Sequence, residues 1–188
     1  MKKTQLIMLL LLSAICIQSC KKDASTSAST VSDKILSANI NGTAWNPDTV
    51  SAKITYNAAA KTKAFTIVGT ADQQRISISV TVPNSANTQD FGLATYKVDA
   101  TNNVVLNYYT QQLITGGTYD FVQVGVVEPG SGSVTVTAID TTKKVITGTY
   151  SFTAKKVNYD TDGNIESIEI QQILLGTFTN SPYTFESN

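Results

Sequence analysis

One spacing in this chain matches an ion-binding arrangement: Asn158-Tyr159-Asp160-Thr161-Asp162-Gly163-Asn164-Ile165-Glu166-Ser167-Ile168-Glu169. Calcium takes six to eight oxygens, and a twelve-position loop supplies them from alternate side chains, with Gly at position 6 and Glu at position 12. Asn158, Asp160 and Asp162 fall at the first three ligand positions, Gly163 at the sharp turn and Glu169 at the end. A partial calcium site would use Asn158, Asp160, Asp162 and Asn164. The flanks argue otherwise. A calcium loop of this kind joins two helices, whereas Lys144 to Lys156 and Ile165 to Phe178 alternate as strands. A strand rises about 3.4 Å per residue, which carries Glu169 away from the turn. Asp-Gly inside a polar cluster is also a hairpin signal. The expectation is a plain hairpin turn with no metal.

The other candidates are carboxylates and aromatics. Two carboxyl groups facing each other across a cleft can hydrolyse glycosides. Here Asp72, Asp90, Asp99, Asp140, Asp160 and Asp162 fall in turn segments, and Asp120, Glu166 and Glu169 in strands, which reads as solvated turns and edges. Trp45, Tyr96, Tyr108, Tyr109 and Tyr119 could form a ligand platform, since aromatic faces on an open sheet stack on sugars or peptides. Cross-strand packing is the more ordinary role. Tyr108 and Tyr109 point to opposite faces, so at most one is core.

The chain has no His at all. That removes histidine bases, Ser-His-Asp triads and His-containing metal sites. Its two cysteines are Cys16 and Cys20, both near the N-terminus. No helix is expected, so no phosphate loop can open one. These absences predict a non-enzyme without a cofactor.

The elements that must position such residues are short strands. Leu36, Ala38 and Ile40 alternate with polar residues up to Asn41-Gly42, and Trp45 lies on the return. Val50 to Tyr56, Phe65 to Gly69, Ile76 to Val82, Ala94 to Val98, Val104 to Tyr108, Val122 to Val126 and Val134 to Ala138 continue the period of two. Turn-rich segments at Pro83–Gly92, Asp99–Asn103, Pro129–Gly132 and Asp140–Lys143 separate them. The last pair, Lys144 to Phe178, is the longest β-pattern. Its return strand is expected to keep phase through Ile168, Ile170, Gln172, Leu174, Gly176 and Phe178, with Gln172 bonded internally or marking a bulge. About ten strands at such spacing predict an all-β protein, an antiparallel β-sandwich or flattened barrel with sequential neighbours.

The N-terminus reads as targeting. Lys2 and Lys3 precede an apolar run from Leu6 to Ile17, too short to span a bilayer, which takes about 20 residues. Ile17-Gln18-Ser19-Cys20 resembles a bacterial lipobox, although Gln18 departs from the usual small residue. That resemblance implies cleavage before Cys20 and a lipid on its sulfur. The expected organisation is a leader over 1–19, lipidated Cys20 and a flexible tether over 20–34, and one β-domain over 35–188. Loss of Lys2 and Lys3 from 14 basic against 14 acidic residues leaves a formal charge of −2. No basic excess attracts nucleic acid. The expected partners are a membrane, through the lipid, and an envelope protein or glycan.

Three further segments carry a family likeness. Ser37-Ala38-Asn39-Ile40-Asn41-Gly42-Thr43-Ala44-Trp45, Val145-Ile146-Thr147-Gly148-Thr149-Tyr150-Ser151-Phe152-Thr153-Ala154 and Gly176-Thr177-Phe178 with Pro182-Tyr183 occur in this order behind the lipobox. Together they resemble uncharacterised lipoprotein domains of Bacteroidetes. The resemblance implies an exported β-domain anchored in the outer membrane, with no established activity and no catalytic residues to carry over. The resulting expectation is a non-catalytic binding or structural envelope lipoprotein. Its rivals are a small-molecule or glycan carrier using the sheet interior or the Tyr-rich face, and a carboxylate-dependent hydrolase.

Overall fold

A computed structural model describes residues 34–101 and 103–188. The leader, Cys20 and all of the tether except Lys34 lie outside the described residues. The described residues hold eleven strands and no helix: β1 (Leu36–Ile40), β2 (Thr43–Trp45), β3 (Thr49–Asn57), β4 (Thr62–Ala71), β5 (Gln74–Pro83), β6 (Thr95–Lys97), β7 (Val104–Leu113), β8 (Tyr119–Gln123), β9 (Gly132–Asp140), β10 (Val145–Tyr159) and β11 (Ile165–Ser187).

The strand order is β6-β9-β10-β11-β3-β4-β5-β7-β8, with β1 and β2 added beside β11. The path is open, because β6 and β8 end it without pairing to each other. Neighbours are antiparallel except β11 and β3, which run parallel from Tyr183↔Ala52 to Ser187↔Tyr56. Sequential hairpins build β3-β4-β5 and β9-β10-β11, as local turn chemistry dictates. Asn41 and Gly42 both have positive φ, which suits the tight turn between β1 and β2. Non-sequential contacts finish the sheet: β5 skips β6 to pair with β7, and β6 pairs with β9.

The alternation read from sequence is realised most fully in β4 and β5. Phe65 and Ile67 on β4 are buried with Ile76, Ile78 and Val80 on β5, while the residues between them are half-exposed. The sheet folds over so that its inward faces share one core. Phe65 on β4 meets Phe178 on β11 with ring centroids 5.5 Å apart, and Phe91 on its other side at 5.8 Å. Leu106 and Tyr108 of β7 and Val134, Val136 and Phe152 of β9 and β10 fill the same interior. Each such fully buried apolar side chain contributes roughly 1.5–3 kcal/mol.

β11 keeps the even phase expected of it only at Gly176 and Phe178. Ile168, Ile170 and Leu174 face solvent, while Ile173, Gly176, Phe178, Ser181 and Tyr183 are buried. The cause is a pair of bulges. The β10–β11 register shifts between Tyr150 and Phe152 and again between Ile146 and Gly148. Leu175 and Asn180, on β11 opposite these shifts, have φ of 51° and 45°. A bulge adds one unpaired residue and reverses which side chains face inward. It also bends the strand. β11 thereby serves β10 and β1 along its first part and β3 along its last. Gln172 is exposed and donates its backbone N–H to Asn41 Oδ1 at 2.8 Å.

Candidate functional site

The Asn158–Asn164 segment is a closed hairpin turn. Asp160 donates its N–H to the Asn164 carbonyl at 2.9 Å, and its Oδ1 accepts the N–H groups of Asp162 and Asn164 at 2.9 and 2.8 Å. The Asn164 side-chain amide donates to Asp160 Oδ2 at 3.3 Å. The Asn164 N–H is the main reason the Asp160 carboxyl is held below the usual carboxylate range. Asn158 points elsewhere: its amide donates across the ribbon to Ser167 Oγ at 2.9 Å and Glu169 Oε1 at 2.7 Å. Glu169 stands opposite Lys156, four residues back along β10 from Asp160. The turn's acceptors thus face its own donors rather than a common centre. Among the described residues, no group of three or more His, Cys, Asp or Glu side chains converges on one point.

The five aromatic candidates do not form one surface. Trp45 and Tyr108 are core residues, 4% and 3% exposed. Tyr96 packs on Phe91 at 5.7 Å and donates its hydroxyl to the Gly92 carbonyl. Tyr109 is half-buried on the outward side of β7, in register with Arg75 and Gln123. Tyr119 is exposed at the start of β8. Arg75 lies over the Phe121 ring, 3.8 Å from its centroid.

The acids are spread over five separate places in the chain, with Asp72 after β4, Asp90 before β6, Asp99 after β6, Asp140 at the end of β9 and the Asp160–Asp162 pair after β10. Asp99 and Asp140 cap their own turns, at Thr101 and at Thr142 and Lys143 respectively. Asp120 accepts the N–H of Phe121, and Glu166 is exposed beside the hairpin turn.

One buried polar group escaped the sequence reading. Lys63 is in phase with Phe65 and Ile67 and is fully buried. Its ammonium reaches Asp90 Oδ1 at 2.6 Å and Thr88 Oγ1 at 3.0 Å. Lys63 is the main reason the Asp90 carboxyl lies below its ordinary range, with Thr88 adding to it. Tyr56 and Tyr183 donate their hydroxyls to Ser85 and Gln89 carbonyls, so three side chains tie the segment between β5 and β6 across one end of the core. The signal was available, because a Lys in phase with a buried strand face needs a partner.

A second feature is the outward face of β6, β9, β10, β11 and β1. Thr95, Thr135, Thr149, Thr177 and Ser37 are successive register partners across all five strands. The Thr95 and Thr135 hydroxyls are 2.9 Å apart, and those of Ser37 and Thr177 are 2.8 Å apart. The neighbouring row runs Lys97, Ser133, Ser151. There a shallow groove of about 450 Å³ is lined by Lys97, Ser131, Ser133, Ser151, Thr153 and Leu174, among others. Its hydroxyls and one ammonium can hydrogen-bond a neutral or weakly acidic polar ligand.

No curated protein and no solved structure is similar to this chain. Residues 32–182 match the family described as a domain of unknown function, DUF6252. The match takes in the strands from β1 through β10 and most of β11, including Trp45, Gly148, Tyr150 and Phe178, and the chain belongs to that family.

Proposed function

We propose that this chain is a lipid-anchored protein of the cell envelope, held at the outer membrane through Cys20, whose β-domain binds or scaffolds without catalysis. The observation that carries the reading is the order Lys2-Lys3, apolar run, Ile17-Gln18-Ser19-Cys20 and polar tether directly ahead of a β-domain. The lack of His and the scatter of acids over separate turns support a non-catalytic role. The resemblance to Bacteroidetes lipoprotein domains supports the outer membrane as its place. Expression of the full chain with Cys20→Ser, followed by membrane fractionation and fatty-acid labelling, tests the anchor. Labelled, membrane-bound wild type and unlabelled, released variant are expected. Membrane retention of an unlabelled variant would count against it.

A second reading, binding of a neutral glycan, is favoured by the hydroxyl rows beside Lys97. It uses the outward face rather than the interior, which Phe65, Phe178, Leu106 and their neighbours fill. Titration with soluble oligosaccharides, followed by chemical shifts of the groove residues, tests it. Shifts confined elsewhere, or none, would remove the glycan reading.

A further inference from the structure

The tip of the β10–β11 hairpin stands clear of the rest of the sheet. Pairing of β10 with β9 ends at Phe152↔Gly132, followed by a single bridge from Lys155 to Val126. Pairing of β11 with β1 ends at Ile173↔Ile40. Beyond these points, among the described residues, Lys156–Tyr159 and Ile165–Glu169 pair only with each other. The ribbon extends about 15 Å at the usual rise per residue.

Its two faces differ. Lys156 and Glu169 form an ion pair at 3.5 Å on one face, beside Asn158 and Ser167. The other face carries Val157 opposite Ile168 and Tyr159 opposite Ile165, with Ile170 opposite Lys155 at the base. Tyr159, Ile165, Ile168 and Ile170 are between 47% and 61% exposed, and Leu174 and Leu175 extend the apolar surface along β11. An amphipathic two-stranded ribbon whose apolar face is covered by none of the described residues is marginal in water. Exposed apolar patches of this size mark interaction surfaces.

We propose that this face packs against the same face of a second copy of the chain, about a two-fold axis near Ile168. Three observations select that occupant. Apolar stripes lie on a two-fold related stripe without any new residue type, as an isologous contact requires. Antiparallel stacking brings the acidic tip, with Asp160, Asp162 and Glu166, over the end of the partner face where Lys97 lies beside Leu174, next to Lys155 in its 3.6 Å ion pair with Glu128. With on the order of 100 Å² exposed on each of six large apolar side chains, two copies cover roughly 1,200 Å², the lower end of stable interfaces, before polar neighbours are added. An anionic bilayer fits less well, because the same tip is acidic. The contact does not depend on the lipid anchor.

The test uses the full chain. Residues 21–188 contain no Cys, so Ile168→Cys places one thiol beside the axis and Lys53→Cys places one on the outward face of β3. Mild oxidation in membranes is expected to cross-link the Ile168→Cys chain at least tenfold faster than the Lys53→Cys chain, with wild type as the blank. Adding Ile170→Asp should abolish that advantage. Sedimentation of the detergent-solubilised wild type should give a dimer that Ile170→Asp converts to monomer. Equal cross-linking at both positions, or a wild type that stays monomeric at tens of micromolar, overturns the proposal. So does a monomeric chain whose ribbon is covered by vesicles or by another protein.

Discussion

Gly148 and Phe178 are register partners on β10 and β11, and the Phe178 ring occupies the space where a side chain on Gly148 would stand. Two residues along, the roles are exchanged: Tyr150 pairs with Gly176, and its ring lies where a Gly176 side chain would be. A Cβ at Gly176 would come within 2.6 Å of the Tyr150 ring and its carbonyl oxygen. A Cβ at Gly148 would collide with the Phe178 ring and the Thr135 carbonyl. The family-like Gly-x-Tyr-x-Phe and Gly-x-Phe segments are thus one reciprocal packing unit. It buries Tyr150, whose hydroxyl donates to the Ser37 carbonyl at 3.1 Å and whose phenol is pushed well above its usual range by burial.

Gly148→Ala is therefore expected to destabilise the domain by about 1–3 kcal/mol or more, because both obstacles are held by the sheet. Phe178→Ala should cost about 3–5 kcal/mol through the cavity it leaves. Urea unfolding measures both. A Gly148→Ala protein as stable as wild type would refute the reciprocal packing.

The Lys63–Asp90 contact makes stability depend on acid. The Asp90 pKa is lowered in the folded state, so its contribution is present above the unfolded value, near 3.9, and is lost as pH falls through the folded value. Asp90 is largely exposed, which screens the pair and reduces its worth. Asp90→Asn should cost about 1–2 kcal/mol at neutral pH, and the gap to wild type should narrow as pH falls below the unfolded value and close only once pH has passed below the folded value. Lys63→Met should be close to neutral, since it removes a buried charge and leaves a carboxylate that water can reach. A gap that widens in acid would contradict the assignment.

Millimolar calcium is expected to leave the melting temperature unchanged, since the Asp160 acceptors already hold the turn's own N–H donors. In an NMR titration the Asp160 carboxyl should ionise below the ordinary carboxylate range. A calcium-dependent rise in melting temperature, lost in Asp160→Ala with Asp162→Ala, would refute the hairpin-only turn.

Trp45 is the sole tryptophan and lies in the core, in register with Ala38. Its emission should be blue-shifted in the folded protein and move to the red in a single step on unfolding. That step should coincide with the loss of far-ultraviolet dichroism. Separate midpoints would mean that β1 and β2 detach before the rest.

By itself the sequence determined the class of the fold and most of its strands. Period-two alternation in Ile76–Val82 and turn chemistry at Asn41-Gly42 are local, so they survive whatever the chain does elsewhere. The Asn158–Asn164 hairpin was legible for the same reason. Tertiary structure alone decided the phase of β11, because a bulge at Leu174–Leu175 reverses the side chains that follow and a second at Asn180 reverses them back, without changing residue types. It also decided the parallel pairing of β11 with β3, a long-range contact that no turn announces. The burial of Lys63 depended on a distant Asp90, and the dispersal of Trp45, Tyr96, Tyr108, Tyr109 and Tyr119 depended on which strands became neighbours. Local rules fix what each strand is; the free energy of closing one core fixes which strands meet.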